Sequence, residues 1–187
     1  MYERIDKDIK FNLVNWNIIH ADTGKAYRFW KNNIIISNKA MKLASTKSLN
    51  PKFVYIHLMM PHSPYYTDKN GKQNTYHDLM SPNFKTDYPE YLQFSNKKIL
   101  ELIDIIRDQS IRPQLILLAG DHGFRNYPEP TVRKYYFLNF CAVSIPGGNY
   151  THFYPGMSNI NLFRTILNTQ FGQQLSMLKD SMIYMIE

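Results

Sequence analysis

The chain runs Leu115, Ile116, Leu117, Leu118 and Ala119 and then stops at Gly120, Asp121, His122 and Gly123. A continuous apolar segment bounded by Pro113 and Gly120 predicts a strand covered on both faces. In an open α/β sheet the ligand site lies just beyond the carboxyl ends of such strands. Asp121 and His122 fall at that edge, so the segment predicts a strand that delivers a carboxylate and an imidazole, both metal-ligating groups. Neighbours on extended backbone point opposite ways, which suits two adjacent ions, or one ion and its bound substrate. The flanking glycines predict a turn made without a Cβ clash. Asp and Gly also make ordinary turns, so other segments have to decide between turn and site.

With 187 residues, 44% of them hydrophobic, the chain is long enough for one well-cored domain. Its formal charge of +7 would suit nucleic acid, an anionic surface or anionic esters. Lys and Arg are scattered, however, and no recognition motif accompanies them, so no nucleic-acid partner is expected. The single Cys141 lies inside the apolar stretch from Tyr135 to Ile145; it predicts a small buried core residue and excludes an internal disulfide. No apolar run approaches the roughly 20 residues that span a bilayer. The first residues are charged and polar rather than signal-peptide-like, so the chain as given reads as soluble.

Residues Asn38 to Ser48 predict a helix ahead of Pro51. Lys52 to Met60 is β-rich and apolar and predicts a second buried strand, ending at Pro61 and delivering His62. From Ser63 to Pro89 the breakers Asp68, Asn70, Gly71 and Pro82 predict a long surface loop. Glu90 to Gln109 places Ile99, Leu102, Ile103 and Ile106 at helical spacing against Lys97, Lys98, Glu101, Asp104 and Arg107. A third strand is expected from Tyr136 to Ile145, stopped by Pro146, Gly147 and Gly148. Asn159 to Phe171 then reads as a helix through Ile160, Phe163, Ile166 and Leu167, closed by Gly172. That order predicts an α/β chain, a layered sheet with helices on its faces.

Three segments in this order, Phe53 to Tyr65 (FVYIHLMMPHSPY), Ile116 to Phe124 (ILLAGDHGF), and Leu138 to Gly148 followed by Ile160 to Gly172, resemble the sulfatase and alkaline phosphatase superfamily of metal-dependent hydrolases and transferases. The stretch from Tyr91 to Asp104 is similar to membrane-anchored, sulfatase-like proteins of bacteria. The resemblance covers roughly residue 33 to the end. It implies an α/β/α sandwich with a mostly parallel central sheet, and an activated hydroxyl attacking a phosphate or sulfate ester. Asp121 and His122 would hold the metal, and His62 would donate a hydrogen bond to the ester or leaving group. Arg125 would face the anionic substrate.

One carboxylate plus one imidazole suits zinc or manganese better than calcium. The superfamily's early metal-binding acid and its Ser, Thr or Cys nucleophile have no counterpart in matching context; Thr23 reads as a turn residue. The resemblance therefore implies the C-terminal half of an incomplete domain, inactive alone, with nucleophile and membrane anchor upstream and the full-length domain outside the cytoplasm. An incomplete sheet also predicts self-association. The alternative reading is a noncatalytic remnant or interaction module that keeps the fold. His57 reads as an interior or interface residue, His152 as a weak third-ligand candidate, and His20 and His77 as unsupported.

Overall fold

The computed structural model of the chain describes residues 27–125, 133–181 and 183, so the expectations for Thr23 and His20 lie outside the described residues. The chain divides into two compact units, Met1–Ile111 and Arg112–Glu187.

In the first unit, helix α1 (Arg28–Ser45) starts ten residues before the sequence-predicted helix. Its buried residues Asn33 and Ala40 are seven apart, two turns on one face. Short helix α2 (Tyr76–Met80) begins with a capping box, in which the Thr75 hydroxyl accepts from the Asp78 N–H and the Asp78 carboxylate accepts from the Thr75 N–H. Helix α3 (Asp87–Gln109) matches its periodicity and packs against α1. Its Ile99, Leu102, Ile103 and Ile106 are half-buried, and the tightest burial is at Tyr91, Phe94 and Ser95 near its start.

The core there is aromatic. Tyr65, Tyr66, Leu79, Tyr91 and Phe94 are buried together, with Trp30, Phe84 and Tyr88 packed around them. Tyr91 and Phe94 stack at 6.3 Å and 8°, and Trp30 and Tyr66 at 5.9 Å and 28°. Such pairs add about 0.5–1.5 kcal/mol each beyond area burial. Burial pushes the Tyr66 hydroxyl up to about 12, with Tyr27 beside it adding to the shift.

Two expectations fail here for one reason. The segment 63–89 is no surface loop, because Tyr65, Tyr66, Thr67 and Leu79 are buried, and a bridge between Thr67 and Gln73 closes a turn held by Asp68. Conversely, 52–60 forms no strand: it is without a ladder partner among the described residues, with Phe53 66% and Tyr55 76% exposed. Composition marks residues that can bury or pair, and neighbours decide which of them do.

The second unit holds strands β1 (Ile116–Ala119) and β2 (Cys141–Ser144), which pair antiparallel with Ile116 opposite Ser144 and Ala119 opposite Cys141. The layered α/β/α sandwich with a mostly parallel sheet is thus overturned: the sheet among the described residues is two-stranded and antiparallel. A parallel sheet needs several strands joined by helical crossovers. Here 52–60 supplies none, and among the described residues the helical element between β1 and β2 is a tight turn, Arg133–Phe137. The two strands are only half-covered, and Cys141 is exposed on β2 rather than in a core.

Helix α4 (Asn159–Phe171) falls on its sequence-predicted bounds. The Ser158 side chain caps its start, and Gly172 closes it in the left-handed conformation at φ 63°. Its buried face is Asn161, Leu162, Thr165 and Ile166, while Ile160 and Phe163 are exposed. The following extended segment explains the rotation. Asn161 exchanges hydrogen bonds with the backbone of Leu178 (2.6 and 2.9 Å), Asn168 does so with Leu175 (2.9 and 2.8 Å), and Arg164 donates to Ser176 (3.0 Å).

Candidate functional site

Beyond Ala119 the pairing continues for one more residue, as the Gly120 N–H donates to the Phe140 carbonyl at 2.8 Å. The chain then bends, and the Gly123 N–H donates to the Tyr136 carbonyl, also at 2.8 Å. Gly123 passes so close to the 133–138 turn that a Cβ there would lie 1.9 Å from the Tyr135 carbonyl oxygen. The Gly120 carbonyl accepts from Asn139 Nδ2 at 2.8 Å and from Asn159 Nδ2 at 3.1 Å. Residues 121 and 122 are thereby held in a short bend between two backbone anchors.

On that bend the two side chains converge. Asp121 Oδ2 lies 3.8 Å from His122 Nε2, with the Asp121 side chain 89% exposed and that of His122 35% exposed. His122 Nδ1 meets the Gly123 carbonyl oxygen at 2.7 Å. A carbonyl can only accept, so Nδ1 is the donor in that contact, and Nε2 is the ring atom that faces Asp121. A backbone acceptor behind the ring is the support that metal-ligating histidines commonly have. Zinc bonds to carboxylate oxygen and imidazole nitrogen are each about 2.0–2.2 Å, so donor atoms 3.8 Å apart can reach one ion. The alternation that would have sent the pair to two separate ions does not hold, because β1 has ended and the backbone bends at these residues. Asp121 and His122 supply two ligand-type donors. Among the described residues no group of three or more His, Cys, Asp and Glu side chains could hold one.

The other sequence-predicted residues lie as follows. Arg125 is exposed three residues past His122. His62 belongs to the first unit, exposed in the turn at 60–64, with Nδ1 2.5 Å from the Ser63 carbonyl oxygen. His57, His77 and His152 are exposed, which removes the interior reading of His57. Asn139 and Asn159 escaped the sequence reading. Each stands beside an ordinary strand start or helix start, and nothing in the text links them to a carbonyl 19 or 39 residues away.

No family model matches the chain, and no curated protein or solved structure matches it either. Among the described residues no helix is long and apolar enough to cross a membrane.

Proposed function

We propose that the chain carries the metal-binding turn of a hydrolase or transferase of phosphate or sulfate esters, with zinc or manganese held by Asp121 and His122. One observation carries this reading: the Asp121 carboxylate and Nε2 of His122 face each other at 3.8 Å, on a bend fixed by backbone hydrogen bonds at both ends. The motif order around that bend, similar to the sulfatase and alkaline phosphatase superfamily, supplies the reaction class. A bound divalent ion would polarise an ester oxygen and lower the pKa of an attacking hydroxyl. Asp121 contributes negative charge and His122 a neutral donor, a mixed set that suits zinc or manganese over calcium. Arg125, exposed beside the bend, offers a planar guanidinium matched to two oxygens of a phosphate or sulfate.

The test is titration calorimetry of the full chain with zinc and with manganese, then with inorganic phosphate in the presence of the metal. Asp121→Ala is expected to weaken metal binding at least tenfold, and Arg125→Ala to weaken phosphate binding while leaving metal binding in place. Equal metal affinity in wild type and Asp121→Ala rejects the site. Metal binding with no phosphate binding rejects the ester reading and favours the noncatalytic alternative.

A further inference from the structure

We infer that the polar face of α4 is a docking surface for an extended peptide with acidic residues four apart, and that residues 173–181 of the chain occupy it in cis. The grip is on backbone. Asn161 Nδ2 donates to the Leu178 carbonyl at 2.6 Å while its Oδ1 accepts from the Leu178 N–H at 2.9 Å, and Asn168 holds Leu175 in the same way at 2.9 and 2.8 Å. Each carboxamide exchanges both bonds with one residue, as a partner strand does in an antiparallel ladder. The spacing fits as well. Asn161 and Asn168 are two helical turns apart, about 10.5 Å, and Leu175 and Leu178 are about 10 Å apart on extended chain. Any extended segment presents N–H and C=O groups at that repeat.

Side chains add one lock. Residues 173–179 are all exposed, so this face imposes little on the identity of their side chains; the closest approach is a 4.0 Å contact of Met177 Sδ with the Thr165 hydroxyl. Asp180 is the exception. Its Oδ2 accepts from the Tyr154 hydroxyl at 2.6 Å, and its Oδ1 from the Ser158 N–H at 2.8 Å and Asn161 Nδ2 at 2.9 Å. Three donors converging on one carboxylate select an acid at this position. Arg164 shows what the chain's own segment lacks. Its Nη1 donates to the Ser176 carbonyl at 3.0 Å, but its Nε is buried without a hydrogen-bond partner, and the ion pairs among the described residues do not include it. A guanidinium matches a carboxylate with two of its donors, so an acid at the Ser176 position would satisfy the group that the cis segment leaves short. Gly172, left-handed with open space around it, is the joint at which that segment can leave.

The test follows the fluorescence anisotropy of a labelled peptide with the sequence of residues 173–181 on the full chain, wild type and Asp180→Ala. The variant loosens the cis segment and leaves the face of α4 as it is. The peptide should bind Asp180→Ala at least tenfold tighter than wild type. Ser176→Glu in the peptide should tighten binding about threefold at low salt, a gain lost when the chain also carries Arg164→Ala. N-methylation of the peptide at Leu175 and Leu178 should weaken binding about tenfold or more, because it removes the donors that Asn168 and Asn161 accept. No binding to Asp180→Ala, or equal binding by the two chains, overturns the docking surface. Unchanged affinity of the N-methylated peptide overturns the backbone grip, and a Ser176→Glu gain that is absent or survives Arg164→Ala overturns the acidic partner. Should Asp180→Ala fail to fold, hydrogen exchange of wild type decides: Leu175 and Leu178 amides that open more readily than those of Phe163 to Leu167 support the inference, and exchange at one shared rate overturns it.

Discussion

Replacing Gly123 by alanine tests the account of the bend most directly. An alanine Cβ would sit 1.9 Å from the Tyr135 oxygen, 2.9 Å from the Leu138 oxygen and 3.1 Å from the Leu138 nitrogen, all backbone atoms that no rotamer change can move aside. Real Cβ contacts stop near 3.0 Å, so one backbone has to retreat by about 1.1 Å. A retreat of that size breaks the 2.8 Å bond from Gly123 N–H to the Tyr136 carbonyl. Overpacking of this kind costs about 1–3 kcal/mol, and the lost hydrogen bond about 0.5–1.5 kcal/mol more. The sum is about 1.5–4.5 kcal/mol. At about 4–8 °C per kcal/mol for a unit of this size, melting should fall by about 6–36 °C.

Two other glycines give the scale. Gly172 has open space around it but φ 63°, so Gly172→Ala should cost about 1–2 kcal/mol through backbone strain alone. Gly120 has neither a positive φ nor a Cβ neighbour closer than 3.6 Å, so Gly120→Ala should be nearly silent. The assay is scanning calorimetry, with amide resonances of residues 116–144 reporting the second unit. A Gly123→Ala protein melting within about 3 °C of wild type, or a Gly120→Ala protein equally damaged, refutes the close approach that defines the bend.

Other outcomes follow from single contacts. Hydrogen bonds from Tyr154 and then Ser158 hold the Asp180 carboxyl well below the usual carboxylate range. Its folded pKa being depressed, its contribution is intact above the unfolded value of about 3.9 and is lost as pH falls toward the folded one. Acid titration of stability should therefore show a loss below about pH 4 that Asp180→Asn removes; an unchanged profile in the variant contradicts the linkage. Tyr91, fully buried among Tyr65, Tyr66 and Phe94, should cost about 3–5 kcal/mol as Tyr91→Ala, measured by denaturant unfolding of the first unit. A loss under 1 kcal/mol would deny the aromatic core its role.

The elements that survived from sequence to structure are those specified locally. Asn159–Phe171 keeps its bounds because Ser158 and Gly172 cap it whatever packs on its sides, and the helix expected over Glu90–Gln109 forms through its apolar periodicity but starts three residues earlier, at Asp87. The buried face of α4 was illegible. Asn161 and Thr165 are buried at the expense of Ile160 and Phe163 because the chain after Gly172 returns along that side, and amides that bond its backbone become the natural inner surface. The candidate site divides the same way. Asp121 and His122 stand out in the text as an acid and an imidazole after an apolar run, whereas Asn139 and Asn159 reach Gly120 only through pairing of β1 with β2 and the placement of α4.

By itself, then, the sequence determined the capped helix Asn159–Phe171, the periodic helix that ends at Gln109, the apolar run that becomes β1, and the identity of the ligand-type residues that follow it, since each depends on neighbours a few positions away. The tertiary structure alone decided that the sheet is an antiparallel pair, that 52–60 lies unpaired while Tyr65 and Tyr66 are buried, and that Asp121 and His122 converge rather than diverge. Those outcomes depend on which distant backbone satisfies which hydrogen bond, and on the absence of a single Cβ at Gly123.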